Sequence, residues 1–328
     1  MESLVDTLRR DYRLSGVPSY QRKYCAAASS FGWECDRCVK FCREDVFQSG
    51  RKDKKPDFTR CSRCGFCVAV CPTKALTPMD TQARSFLMAL ARRDEISFGC
   101  EEDVAGWTVS LRCLASLSWE ELACAALRNG AAVSLRACGD CAKQDCASLI
   151  SETLDAVREF LGETLFSQRV RILKKGDGEA PRGKAISRRE LLTFFKALPL
   201  DGARELLPEP EAGENGELLY RAVLRRLVRE RCESTPKEAR GRYVLPLPLV
   251  SDDCTGCGMC VRMCPKKALD LRVGPDGAKI LTAEAWKCTG CAFCAKACRQ
   301  KAVQGVGKMA VRHLGTVIIK RIKTEARA

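Results

Sequence analysis

The sequence predicts an α+β fold in which two small cysteine-rich modules flank a small parallel α/β domain, with a helical linker before the second module. Two observations predict this arrangement. Cysteine runs of one spacing occur near both ends of the chain, and between them short apolar segments alternate with helical segments. The expected boundaries are 1–82 for the first module, 83–173 for the central domain, 174–245 for the linker region and 246–328 for the second module.

The second module holds the most regular motif. Its cysteines form two C-x2-C-x2-C-x3-C runs, which begin at Cys254 and at Cys288. The runs resemble those of bacterial two-cluster ferredoxins, in which the fourth cysteine of each run ligates the cluster of the other run. The resemblance implies two 4Fe–4S clusters, one on Cys254, Cys257, Cys260 and Cys298 and the other on Cys288, Cys291, Cys294 and Cys264. The alternatives are a zinc ribbon or a disulfide scaffold, although zinc sites usually use two C-x2-C pairs rather than eight cysteines in this repeat.

The first module repeats this pattern with one irregularity. A full run begins at Cys61, whereas the run before it places its first cysteine, Cys25, nine residues ahead of the second instead of two. The resemblance to bacterial ferredoxins implies two further 4Fe–4S clusters, in which the fourth cysteine of each run again ligates the cluster of the other run. The ligand sets are Cys61, Cys64, Cys67 and Cys42, and Cys25, Cys35, Cys38 and Cys71. The alternative for the latter set is that Cys25 is not a ligand, which leaves a 3Fe–4S site or a different fourth ligand.

Residues beside these cysteines predict how the clusters are held and tuned. Small residues between the ligands let backbone amides approach the sulfides, namely Gly256, Gly258, Gly290 and Ala292. One run of each module ends in Cys-Pro and its partner run ends in Cys-Arg. A guanidinium one residue from a ligand favours the more negative, reduced cluster, so Arg299 is expected to raise the potential of the Cys254 cluster unless it points into solvent.

The middle of the chain has the pattern of a small parallel α/β domain. Predicted strands alternate with predicted helices: strands at 95–100, 107–113, 131–138 and 170–173, and helices at 119–128 and 147–166. Five cysteines fall where strands end, namely Cys100, Cys113, Cys138, Cys141 and the nearby Cys146. Because parallel sheets bind ligands at the carboxyl ends of their strands, this placement indicates a site. Cys124, on a predicted helix, and Cys232 are interpreted as ordinary core or surface residues.

Two segments of this domain carry a second resemblance. Their sequences are S-L-R-C113-L-A-S-L and A-V-S-L-R-A-C138-G-D-C141. Both segments are similar to the small iron–sulfur (delta) subunit of methyl-viologen-reducing hydrogenases. That resemblance implies a 2Fe–2S cluster on Cys113, Cys138 and Cys141, with Cys100 as the fourth ligand and Cys146 as a substitute. This chain departs from the family in two ways. The family usually has several cysteines near the first strand, where this chain has only Cys100, and its loop between the later cysteines is longer. The alternative is a degenerate domain that keeps the fold with free buried thiols.

Composition and charge exclude several classes of protein. The 328-residue chain carries twenty-three cysteines and a formal net charge of +15. Four oxidised 4Fe–4S centres would add a charge of about −8 and leave the cluster-bound protein with about +7. The basic residues are therefore interpreted as compensating for the cluster charge. The remaining positive charge is interpreted as a surface for an acidic partner protein rather than for nucleic acid. The first residues lack the features of a secretion signal, and no apolar stretch is long enough to span a membrane, so a reducing, cytoplasmic location is expected.

The sequence offers little for acid–base or group-transfer catalysis, and no catalytic residue is assigned. Its one histidine, His313, lies outside the cysteine motifs, and the arginines of the helix predicted at 217–230 are interpreted as a solvated face. The leading hypothesis is a non-catalytic electron-transfer subunit of an oxidoreductase complex, with a flavoprotein, a hydrogenase or a molybdenum-type subunit as partner. The alternatives are a reductase with a substrate-reducing iron–sulfur site in the central domain, and a redox-sensing regulatory protein.

Overall fold

The computed structural model describes residues 17–28, 34–47, 56–77, 86, 89–90, 96–100, 107–128, 132–136, 145–173, 219–234, 243–311 and 316–322. The chain divides into two compact units, Met1–Leu207 and Pro208–Ala328. Cys138, Cys141 and His313 lie outside the described residues. The fold is mixed, with helices and sheets in both units. In the described part of the chain no helix is both long enough and apolar enough to cross a membrane.

The N-terminal part of the first unit is built from very short elements. Strands β1 (Ser19–Tyr20) and β2 (Leu76–Thr77) pair antiparallel, and the amide of Gln21 donates to the carbonyl of Ala75 at 2.8 Å. This pairing joins the first and last described segments of the predicted first module. Between the two strands lie helices α1 (Arg37–Phe41) and α2 (Phe66–Val70). Single 3₁₀ turns at Arg22–Tyr24 and Phe58–Arg60 precede cysteines.

The described part of the central segment forms a four-stranded sheet in which every pairing is parallel. The strand order is β4-β3-β5-β6. The strands are β3 (Ser97–Cys100), β4 (Val109–Leu111), β5 (Val133–Arg136) and β6 (Val170–Leu173). Inward-facing apolar residues such as Phe98, Leu111 and Leu135 are almost fully buried, as expected for strands that are covered on both faces. The parallel order places the carboxyl ends of these strands at one edge, beside Cys100 and Cys113.

Helices connect and cover these strands. Helix α3 (Trp119–Arg128) has the bounds that the sequence predicts, and Ser118 caps it by donating to Glu121, whose amide donates back to the Ser118 hydroxyl. The single helix predicted at 147–166 is wrong, because the chain forms α4 (Asp145–Leu161) and α5 (Glu163–Arg169) instead. Gly162, with a φ of 80°, ends the first helix, and its amide donates to the carbonyl of Arg158 at 2.8 Å.

The second unit contains one longer helix and two small antiparallel sheets in its described residues. The helix, α6 (Leu219–Ser234), corresponds to the helix predicted at 217–230 within the linker region. The remaining elements are strands β7 (Tyr243–Val250), β8 (Leu269–Val273), β9 (Lys279–Glu284), β10 (Val303–Val311) and β11 (Thr316–Ile322), and helices α7 (Met259–Met263) and α8 (Phe293–Ala297). Strands β7 and β10 pair with each other, and β9 lies between β8 and β11.

Candidate metal centres

In the second unit, the thiols of the two cysteine runs come together in two groups. One cavity is lined by Cys254, Cys257 and Cys260 of the first run and by Cys298 of the second. We call these four residues the Cys254 group. Apolar side chains such as Leu271, together with the uncharged polar Thr255 and Gln300, complete the lining. Three cysteines of one run thus meet the last cysteine of the other run.

The second cavity shows the reciprocal arrangement. It is lined by Cys288, Cys291 and Cys294 of the second run and by Cys264 of the first, which we call the Cys264 group. Helices α7 and α8 hold the third cysteine of each run, Cys260 and Cys294, both of which are buried. The fourth cysteine of each run caps the carboxyl end of the same short helix, which directs it toward the other run's cavity.

The first unit repeats the exchange. Cys61, Cys64, Cys67 and Cys42 line a cavity of about 600 Å³, which we call the Cys61 group. For the remaining set, burial and then the neighbouring thiolate charges of Cys71, Cys25 and Cys35 raise the pKa of Cys38 to about 12. Cys25 and Cys38 also pack against the hydrophobic cluster that contains Cys71, and we call Cys25, Cys35, Cys38 and Cys71 the Cys25 group. Cys25 therefore lies with its predicted partners despite the longer spacing before Cys35.

Left-handed backbone turns carry the chain around these groups. In each full run the residue after the second cysteine has a positive φ and caps a short helix, namely Gly65, Gly258 and Ala292. Alanine at the third of these positions shows that the backbone shape is imposed by its surroundings, because a non-glycine residue there is destabilised by about 1–2 kcal/mol. Arg63 adopts the same conformation two residues after Cys61, and its amide donates to the Cys61 sulfur at 3.3 Å.

A second left-handed turn follows the last cysteine of every run, and sequence reasoning missed it. The residue three positions after that cysteine has a φ near +50° in all four runs, at Asp45, Lys74, Lys267 and Lys301. The turn aims the next amide back at the thiol. Ala75 donates to the Cys71 sulfur and Ala268 donates to the Cys264 sulfur, both at 3.2 Å. The only signal in the sequence is the constant position of this residue within each run.

Comparisons with known protein families agree with this geometry. A family described as a 4Fe-4S dicluster domain matches residues 253–302, and a family described as a 4Fe-4S binding domain matches residues 54–77. Both ends of the chain carry ferredoxin-type iron–sulfur sequences. Searches of curated proteins and of solved structures each gave no match. The coarse prediction of a ferredoxin-like iron–sulfur protein is therefore confirmed.

The thiol groups suit 4Fe–4S clusters chemically. Burial, followed by the neighbouring thiolates of the same group, raises the pKa of Cys260 to about 11 and that of Cys294 to about 12. Such thiols are protonated at neutral pH unless bound positive ions stabilise their anionic form. The iron ions of a cluster supply that charge, while apolar linings and amide-to-sulfur hydrogen bonds provide the usual surroundings. Among the described residues, no three His, Cys, Asp or Glu side chains are arranged to hold a single metal ion.

In the central domain the structure brings together one pair of candidate thiols. The sulfurs of Cys113 and Cys146 lie 3.4 Å apart, and both residues are almost fully buried. They belong to a hydrophobic cluster that also contains Phe66 and contacts Cys64 of the Cys61 group. Cys100 instead donates its thiol hydrogen to the carbonyl of Arg112 at 3.3 Å. Cys124 lies at the centre of α3 with no exposed surface, as a core residue should.

One residue beside the Cys264 group was assigned wrongly from the sequence. Arg221, on α6, is only 2% exposed, so it is not part of a solvated face. Its guanidinium Nη1 donates to the carbonyl oxygen of Cys288 at 3.2 Å. Lys266, which is 4% exposed, lines the cavity of the same group. The sequence places Arg221 on the polar side of a predicted helix and does not indicate that it is buried, because the residues around it come from a distant part of the chain.

Proposed function

We propose that this protein is an electron-transfer protein that relays single electrons between a donor and a partner oxidoreductase, as a subunit of a larger redox complex. The observation that carries the proposal is the exchange of the fourth cysteine between paired runs in both units. This exchange produces paired sites close together, which suits passage of electrons from one site to the next. When bound, 4Fe–4S clusters supply one-electron oxidation and reduction without proton or group transfer.

The proposal assigns one cluster to each thiol group. The ligand sets are Cys25, Cys35, Cys38 and Cys71; Cys61, Cys64, Cys67 and Cys42; Cys254, Cys257, Cys260 and Cys298; and Cys288, Cys291, Cys294 and Cys264. The protein's own contribution is to orient these thiols, to exclude water with the apolar residues of the linings and to donate amide hydrogen bonds to sulfur. The partner remains one of three classes: a flavoprotein, a hydrogenase or a molybdenum-type oxidoreductase subunit.

We further propose a 2Fe–2S site in the central domain, on Cys113, Cys138 and Cys141. The 3.4 Å approach of the Cys113 and Cys146 sulfurs supports Cys146 as the fourth ligand. Cys100 is the weaker choice, because its thiol is engaged with the Arg112 carbonyl. The contact of this thiol pair with the hydrophobic cluster around Cys64 would place the site next to the Cys61 group, within electron-transfer reach.

A reductase is the second candidate, and one observation favours it. The cavity at the Cys61 group has the volume of a small-molecule site, about 600 Å³. Besides the cysteines it is lined by Phe41, Phe58, Arg43 and Arg112. Aromatic and guanidinium groups of this kind could hold a planar anionic substrate beside the Cys61 group.

A reductive titration tests the relay proposal. Stepwise anaerobic addition of dithionite to the fully reconstituted chain should be taken up as about four one-electron equivalents, or about five with a 2Fe–2S centre. A one-electron acceptor such as an oxidised viologen should then recover the same number. Uptake of about two equivalents or fewer would contradict the relay proposal. A stoichiometric product from an added substrate, with no return of electrons to the acceptor, would favour the reductase.

A further inference from the structure

Two cationic side chains are buried at the Cys264 group, although the cysteine motif requires neither. Arg221 reaches the group from α6 and donates to the Cys288 carbonyl at 3.2 Å. Lys266 lies between Cys264 and β8 and lines the same cavity. Their exposed fractions are 2% and 4%, so both positive charges lie away from bulk water. Lys287 also lines this cavity, but it is paired with Glu284 at 2.8 Å and adds little net charge.

The Cys254 group has a different electrostatic environment. The residues that line its cavity include no charged side chain within the described part of the chain. Two cations lie beside this cavity: the half-buried Lys279 donates to the carbonyl of Gly256 at 3.3 Å, and the guanidinium of the exposed Arg262 lies next to Gly258. Arg299 follows Cys298 directly but is exposed. Water and salt screen an exposed charge far more than a buried one, so the two groups differ in effective positive charge.

Reduction adds one negative charge to a cluster site, and a nearby buried cation favours that added charge. We propose that the buried positive charges of Arg221 and Lys266 make the Cys264 site the higher-potential site of the second unit. An electron that enters this unit then rests at the Cys264 site rather than at the Cys254 site. The inference rests on the proposed ligation, and it reverses the order that the sequence predicted from Arg299.

Substitutions in the full-length, reconstituted chain test this inference. Iron content is measured first, and midpoint potentials are then determined by anaerobic titration followed by electron paramagnetic resonance, with Cys291→Ser used to identify the signal of the Cys264 site. Arg221→Gln should lower the potential of that site alone, Lys266→Gln should act in the same direction, and Arg221→Lys should retain most of the wild-type value. Arg226→Gln is the matched control and should change no potential, because Arg226 lies on the same helix but is exposed and paired with Glu230.

Salt separates a buried charge from a surface charge. The shift in Arg221→Gln should persist at high ionic strength, because a buried charge is weakly screened. Unchanged potentials in Arg221→Gln with a full complement of iron would overturn the inference, and so would a shift that disappears at high salt. If Arg221→Gln loses iron, unchanged potentials in an iron-replete Lys266→Gln variant would overturn it instead. A wild-type chain without iron at the second unit would overturn the proposed function as well.

Discussion

Cys264→Ala and Cys294→Ala should each lose about four of the roughly sixteen irons per chain, and the double variant should lose no more than either single variant. The two thiols belong to one group although they come from different runs. By contrast, Cys264→Ala combined with Cys260→Ala should lose about eight irons, because these two residues share a run but belong to different groups. Iron and acid-labile sulfide per chain, measured after identical anaerobic reconstitution, give the comparison.

This pair of double variants distinguishes crossed from uncrossed ligation. Uncrossed runs would reverse the result, so that Cys264→Ala with Cys260→Ala would lose only about four irons. Cys232→Ala is the control. Cys232 is a half-buried residue of α6 that lies outside the thiol groups, so its iron content should match that of the wild type. Loss of iron in Cys232→Ala would show that cysteine substitution in this unit acts through general destabilisation.

Removal of iron should unfold much of the second unit while the central sheet stays folded. Helices α7 and α8 have five residues each, far below the length at which an isolated helix is stable in water. The cavities that they border contain four thiols apiece, which pack little apolar surface once the cluster is gone. Leu122 of α3, Leu135 of β5 and Phe160 of α4 are almost fully buried and belong to no thiol group.

Amide hydrogen exchange before and after anaerobic chelation measures this difference. Residues 254–303 should lose their protection almost completely, whereas 119–128 and 133–136 should keep most of theirs and so act as the internal control. The two effects have different origins, since cluster ligation stabilises one region and a hydrophobic core stabilises the other. Protection of residues 254–303 that survives complete loss of iron would contradict cluster-dependent folding.

The sequence predicts those features that depend on local pattern. Helix α3 and strand β6 have the predicted bounds, because apolar spacing and capping residues define them within a few positions. The sequence predicts one continuous helix across Gly162, whereas the structure has a break between α4 and α5 at this residue. Its φ of 80°, which glycine adopts without strain, ends α4 there.

The grouping of the thiols depends on the family pattern, since spacing alone does not say which fourth cysteine joins which run. Other features depend on contacts that sequence spacing cannot express. Arg221 meets Cys288, which is 67 positions away in the chain. Ala292 and Lys267 adopt left-handed conformations that their residue types do not favour, because the turn around the thiols requires them. The left-handed conformation at these positions is recognised only when the runs are aligned on their cysteines and compared in three dimensions.

Iron and acid-labile sulfide content per chain, determined after anaerobic reconstitution, tests the central claim most directly. Four groups of four thiols predict about sixteen of each, and a 2Fe–2S centre in the central domain would raise both to about eighteen. Ultraviolet–visible spectra of the same sample should show thiolate-to-iron absorption. A saturated content of eight irons or fewer would contradict the account, and so would zinc in place of iron in a colourless protein.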